Sequence, residues 1–106
     1  MTQPPLTRPH LAPARKPAVT VRLARGLDDL MRVFAVRAAV YVGDERCPYD
    51  EEYDGNDLCA AHCVAAVDGE PAGVLRLRFF AGFVKFERLA VLPAFRGLGV
   101  ADALMA

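Results

Sequence analysis

Arg96-Gly97-Leu98-Gly99-Val100-Ala101 follows the apolar run Leu89–Leu92 and Pro93, so a guanidinium and two glycines stand where a strand turns into a helix. The first amides of a helix have no intrahelical partner and favour an anion, and a missing Cβ lets phosphate oxygens approach the main chain. Arg96 adds a permanent charge and a forked donor. The chemistry of this turn is therefore the holding of a phosphate group. A nucleotide P-loop requires lysine and then Ser or Thr after the second glycine, where this chain has Val100-Ala101. A dinucleotide fingerprint requires a third glycine where Asp102 stands. The third reading is a cradle for a pyrophosphate group.

A second chemical grouping is acidic. Residues 44–57 hold seven of the thirteen acids against a single arginine, which suits a wall that attracts a cationic amine or, alternatively, a solvated loop. Cys47, Cys59 and Cys63 are too few and too unevenly placed for a disulfide framework. Cys59-x-x-His62-Cys63 has poor spacing for a tetrahedral metal site, so no metal is expected. His62 reads as a packed or hydrogen-bonded histidine rather than a proton carrier.

The elements that must position these groups follow from periodicity. Val19–Ala24 alternates as a half-buried strand. From Leu27, the positions Leu27, Leu30, Met31, Phe34, Ala38 and Tyr41 trace an amphipathic helix, with Asp28 and Asp29 near its positive end. Residues 43–58 should be loop or short helical turns. Three strands are expected over 59–67, 72–80 and 84–92, the first two joined by a tight turn at Asp68–Pro71. A last helix should begin near Gly97 and turn Val100, Leu104 and Met105 inward. The fold class is α/β, with a mixed, mostly antiparallel sheet and flanking helices in the order β-α-(acidic loop/short helix)-β-β-β-α.

Length and composition bound the rest. At 106 residues the chain holds at most one domain, and no apolar stretch approaches a membrane span. Thirteen basic and thirteen acidic residues cancel, which argues against a nucleic-acid partner. Residues 1–18 contain five of the eight prolines and no apolar leader, and read as a disordered Pro/Arg-rich tail before a domain at 19–106. Reduced thiols and no leader make a cytoplasmic location the expectation.

Two ordered stretches resemble a known family. "FERLAVLPAFRGLGVADALM" is similar to the coenzyme A motif of the GNAT N-acetyltransferases, Arg/Gln-x-x-Gly-x-Gly/Ala. Arg37–Val42, Cys47-Pro48-Tyr49, Asp54-Gly55-Asn56-Asp57 and His62 resemble, in the same order, motifs of its ElaA-like branch. One departure is Arg46, which replaces a usual glutamine after Glu45. The resemblance covers about residues 19–106 and implies a partial GNAT fold that continues past Ala106 with a further strand, helix and hairpin.

The resemblance further implies an N-acetyltransferase moving an acetyl group from acetyl-CoA directly to a primary amine, in a small molecule or a peptide. The turn amides from Arg96 through Gly97, Leu98, Gly99 and Val100 to Ala101 would hold the pyrophosphate. Backbone groups of Leu89, Ala90 and Val91 would pair with the pantetheine arm, one amide facing the thioester carbonyl. Glu87 would be a general base or, alternatively, a strand residue paired with Arg76, Arg78 or Lys85. Glu45, Tyr49 and Asp54 are the candidate acceptor residues. The runner-up reading is a non-catalytic remnant that binds acyl-CoA or another chain, including a homodimer formed through an exposed strand edge.

Overall fold

The computed structural model describes residues 17–106, so the expectation for the tail lies largely outside the described residues. Strands β1 (Val19–Leu23), β2 (Ala61–Val67), β3 (Glu70–Phe80) and β4 (Phe83–Val91) form one antiparallel sheet in sequence order. Helix α1 (Gly26–Arg37) runs into a π-helical segment, Ala38–Asp44, and α2 (Tyr49–Glu52) is a single turn. A 3₁₀ turn, Pro93–Phe95, precedes α3 (Val100–Met105). The expected element order is the observed one, and among the described residues no helix is long and apolar enough to cross a membrane.

The sheet carries one helix on each face. Val64, Val74 and Ala90 form a row across β2, β3 and β4, and pack with Val33, Val36 and Val40 from α1 and the π segment. The other face sets Ala65, Val67, Ala72 and Leu75 against Val100 and Leu104 of α3. Gly73 makes the second contact close. A Cβ there would meet Val100 Cγ1 at 2.8 Å and the Ala90 carbonyl at 3.0 Å, so only glycine lets α3 lie this near β3. Asp68 and Gly69 both adopt positive φ, +49° and +88°, as a two-residue hairpin of primed type requires.

Several expected positions move. Leu27 and Met31 are exposed, and the inner face of α1 is instead Asp29, Val33, Val36 and Arg37. Helical period alone could not separate these stripes, because Val33 and Val36 are as regularly spaced as the residues chosen. β2 starts at Ala61, leaving Cys59 exposed outside it. α3 starts at Val100 rather than Gly97, because Gly97 and Gly99 are left-handed, both at φ +84°. Met105 is exposed, whereas Val100 and Leu104 are buried as expected.

Candidate active site

The glycine turn borders an open cavity of about 340 Å³, lined by Val91, Arg96, Gly97, Gly99, Val100, Ala101 and Asp102. A Cβ at Gly97 or Gly99 would touch no protein atom within 4 Å, so what the absent side chains leave clear is free space. Their positive φ makes glycine the fitting residue at both positions. Leu98, between them, is exposed. Arg96 is already oriented: its Nε donates to the Val91 carbonyl at 3.0 Å and its Nη2 to Asp44 Oδ2 at 3.4 Å. Its guanidinium half remains exposed beside the turn, so the residues present suit an anionic group.

β4 is an edge strand, and its backbone is sorted by what lies beside it. The Leu92 amide donates to Ala72 O, and two-residue alternation turns Ala90 toward β3 in the same way. Leu89 and Val91 therefore aim their backbone groups at the open edge. Their carbonyls are taken, Leu89 O by the Tyr41 hydroxyl at 2.6 Å and Val91 O by Arg96. What they offer the edge is N–H.

This phase depends on an irregularity that periodicity did not reveal. Arg76 pairs with Glu87 and Val74 with Ala90, so Arg88 and Leu89 together stand opposite Leu75 alone. The extra residue is a β-bulge. It brings Glu87 and Ala90, an odd number of positions apart, to the same face of the sheet. Arg88 carries it at φ +54°, a conformation that costs a non-glycine residue about 1–2 kcal/mol.

On the α1 face, arginines and acids interlock at one end of the sheet. Arg37 is fully buried: Nε donates to Glu52 Oε2 at 2.6 Å, Nη2 to the Glu52 carbonyl at 2.8 Å and Nη1 to Asp57 Oδ1 at 2.6 Å. Arg76, 1% exposed, makes a bidentate contact with Asp54 and also reaches Asp57 and Glu87. Arg88 pairs with Glu52 at 2.9 Å and Asp54 at 3.2 Å, and donates to the Glu51 carbonyl. The acidic segment is thus pinned to α1, β3 and β4 by three arginines. His62 lies buried beside it, edge-on to Phe34, with Nε2 3.1 Å from the Asp57 carbonyl.

These contacts set the charge states. Hydrogen bonds from Arg76 hold the Asp54 carboxyl well below its ordinary 3.8. Burial pushes Asp57 and Glu87 up, but Arg37 and Arg76 at Asp57, and Lys85 and Arg76 at Glu87, more than offset it, so both are lowered. Carboxyls depressed by folding contribute stability above their ordinary values and lose it as pH falls through the folded ones. Ordinary values of 3.8 for the aspartates and 4.5 for Glu87 place the onset of that loss there. The melting temperature should thus be flat near neutrality and fall progressively on acidification below about pH 4.5. A scan showing no decline between about pH 5 and pH 3 would show that the network contributes nothing.

Residues 27–106 match the Acetyltransferase (GNAT) family. The chain belongs to the GNAT family of acetyltransferases. This GNAT chain is 32% identical over 83 residues to the uncharacterized N-acetyltransferase YjcF of Bacillus subtilis (strain 168), covering 78% of this chain and 59% of that one. Escherichia coli ElaA superposes with a TM-score of 0.71 at 25% identity, over 83% of this chain and 65% of ElaA. An acyl-CoA N-acyltransferase from Pseudomonas aeruginosa gives a TM-score of 0.72 at 30% identity, over 83% and 66%. The chain spans less than two thirds of each of these relatives.

Within the GNAT scaffold the residues anticipated from sequence separate into three groups. Val91 and the turn from Arg96 to Ala101 border one cavity and Leu89 lies next along the same edge strand, whereas Ala90 packs into the core. Glu87 contacts Arg76, Arg78 and Lys85, all three of its candidate ion-pair partners. Asp54 is committed to Arg76 and Arg88. Glu45 and Tyr49 are exposed, and Tyr49 packs against Tyr53 with ring centroids 5.0 Å apart. Sequence reasoning missed Arg37, Arg76 and Arg88 as a group; the one available signal was Arg37, a lone charge within the apolar run Val33–Val42. Among the described residues, no three His, Cys, Asp or Glu side chains gather as a metal site.

Proposed function

We propose that this chain forms the acetyl-CoA side of an N-acetyltransferase that moves an acetyl group from acetyl-CoA directly to a primary amine, carried by a small molecule or a peptide. The carrying observation is the continuous run from β4 to α3: an edge strand whose Leu89 and Val91 carbonyls are already engaged leads straight into a left-handed glycine turn beside an open cavity. Acetyl-CoA supplies the activated thioester. The turn amides and Arg96 hold its pyrophosphate, and the β4 edge takes its arm as an added strand. A donor at the bulge, fixed before the reaction, stabilises the negative charge that develops on the carbonyl oxygen.

The acceptor nitrogen must arrive without its extra proton; its C–N bond forms as the C–S bond breaks, and the thiolate released is protonated. Of the two readings of Glu87, the geometry favours the ion-paired one, because three cations and a lowered pKa make its carboxylate a weak base. Water then takes the ammonium proton. Glu45 and Tyr49 are the acidic-segment residues offered to an acceptor, and Asp54 acts through its arginines.

Titrating the full-length protein with acetyl-CoA should give saturable one-to-one binding, about tenfold weaker for Arg96→Ala. No binding at concentrations up to about 1 mM would sink the reading. One observation favours a second reading, a non-catalytic acyl-CoA-binding or interaction module: β4 leaves Phe83, Val84 and Phe86 exposed along an unpaired edge. Binding without acetyl transfer to any amine, together with self-association in solution, would select it.

A further inference from the structure

We infer that Arg88 and Tyr41 are positioning residues that hold the β4 bulge in its strained form and so couple the acidic segment to the acyl end of the cleft. The inference rests on the acetyl-CoA reading. A left-handed arginine in a strand persists only where its surroundings over-determine it, and here they can be named. On one side, the Arg88 guanidinium reaches into the acidic segment, paired with Glu52 and Asp54 and donating to the carbonyls of Glu51 and Glu52. On the other, the Tyr41 hydroxyl holds the carbonyl of the very next residue, Leu89.

Both tethers come from distant sequence and converge on two adjacent residues. Tyr41 lies in the π-helical segment, whose wide turns bond Glu45 N to Val40 O and Cys47 N to Tyr41 O. Glu52 and Asp54 are themselves fixed by Arg37 and Arg76. The bulge is thus clamped between the segment that would meet the acceptor and the helix that precedes it. With both tethers in place, Leu89 presents its N–H at the edge with its carbonyl turned away. Without them, the strand regains an unstrained φ at Arg88 and that N–H leaves its position.

The test uses Tyr41→Phe, Arg88→Gln and Arg88→Gly in the full-length protein. Tyr41→Phe and Arg88→Gln should each lower kcat about tenfold while the Kd for acetyl-CoA rises by less, about threefold, because one arm contact at Leu89 is lost but the pyrophosphate turn is untouched. Arg88→Gly, which also loses the guanidinium but accepts positive φ without strain, should recover most of the lost kcat. A residue that merely stabilised the fold would behave oppositely, with glycine worse than glutamine, and that ranking would overturn the inference. Hydrogen exchange at Leu89 supplies a readout independent of catalysis: faster or shifted exchange is expected in Tyr41→Phe and Arg88→Gln, with return toward wild type in Arg88→Gly. If wild type fails to bind acetyl-CoA but the exchange pattern holds, the functional reading fails while the tethering stands. Unchanged exchange in all three variants overturns the tethering itself.

Discussion

Replacing Arg37 with alanine is expected to destabilise the protein by about 3–5 kcal/mol, since removing one partner of a buried pair leaves the other charge uncompensated. Arg37 has no exposed side-chain surface and serves two acids: Glu52, itself 1% exposed, and Asp57. Its guanidinium also lies 5.1 Å from the Tyr53 ring centroid and 5.6 Å from that of Phe34, so the truncation opens a void between aromatic rings as well. Arg37→Lys should recover little, because an ammonium cannot meet the Glu52 carboxylate, the Glu52 carbonyl and Asp57 with one planar fork. The matched control is Arg32→Ala, which breaks a half-exposed pair with Asp29 and should change stability by less than about 1 kcal/mol. Thermal melts of the two variants decide the matter. Equal shifts would mean that the buried arginine is no more than a surface one in its effect.

Gly99→Asp should weaken acetyl-CoA binding about a hundredfold or more, with only a modest change in melting temperature. The position is left-handed, which aspartate tolerates better than most residues, and no protein atom lies within 4 Å of the new Cβ. The fold therefore has room for the side chain. What has no room is a phosphate, because the carboxylate enters the cavity that the turn amides face, and like charges set together cost several kcal/mol. Gly99→Ala separates the terms, carrying the backbone strain without the charge. If Gly99→Asp bound acetyl-CoA as tightly as wild type, the pyrophosphate would have to lie elsewhere.

The sequence made the glycine turn legible because local rules govern it: proline ends the strand, glycines take positive φ, and the next residues cap into a helix. The order of elements was legible for the same reason, each element announcing its own period. The site around it was less so. Arg76 and Arg78 alternate with leucines in a pattern that reads as a solvated strand face, yet Arg76 is buried because α1 and the acidic segment cover it. The partners of Arg37 lie 15 and 20 residues away and those of Arg76 up to 22, distances over which spacing carries no information. The bulge was silent because nothing in Arg88-Leu89 differs from an ordinary strand dipeptide; its cause lies in Tyr41 and the acidic residues that pull on it.

Arg37 grips the acidic segment at both ends of one stretch, Glu52 and Asp57, while Arg88 and Arg76 share Asp54 between them. Diversification of this surface is therefore confined. Insertions or deletions between 52 and 57 must undo several buried contacts together, so they should cost far more stability than changes in the half before them. Glu45, Asp50 and Glu51 are exposed and make no side-chain ion pair among the described residues, so each can be exchanged without breaking the buried contacts. The charge of this face can therefore be altered over residues 45–51 at little cost to the fold, whereas the 52–57 half is bound into it.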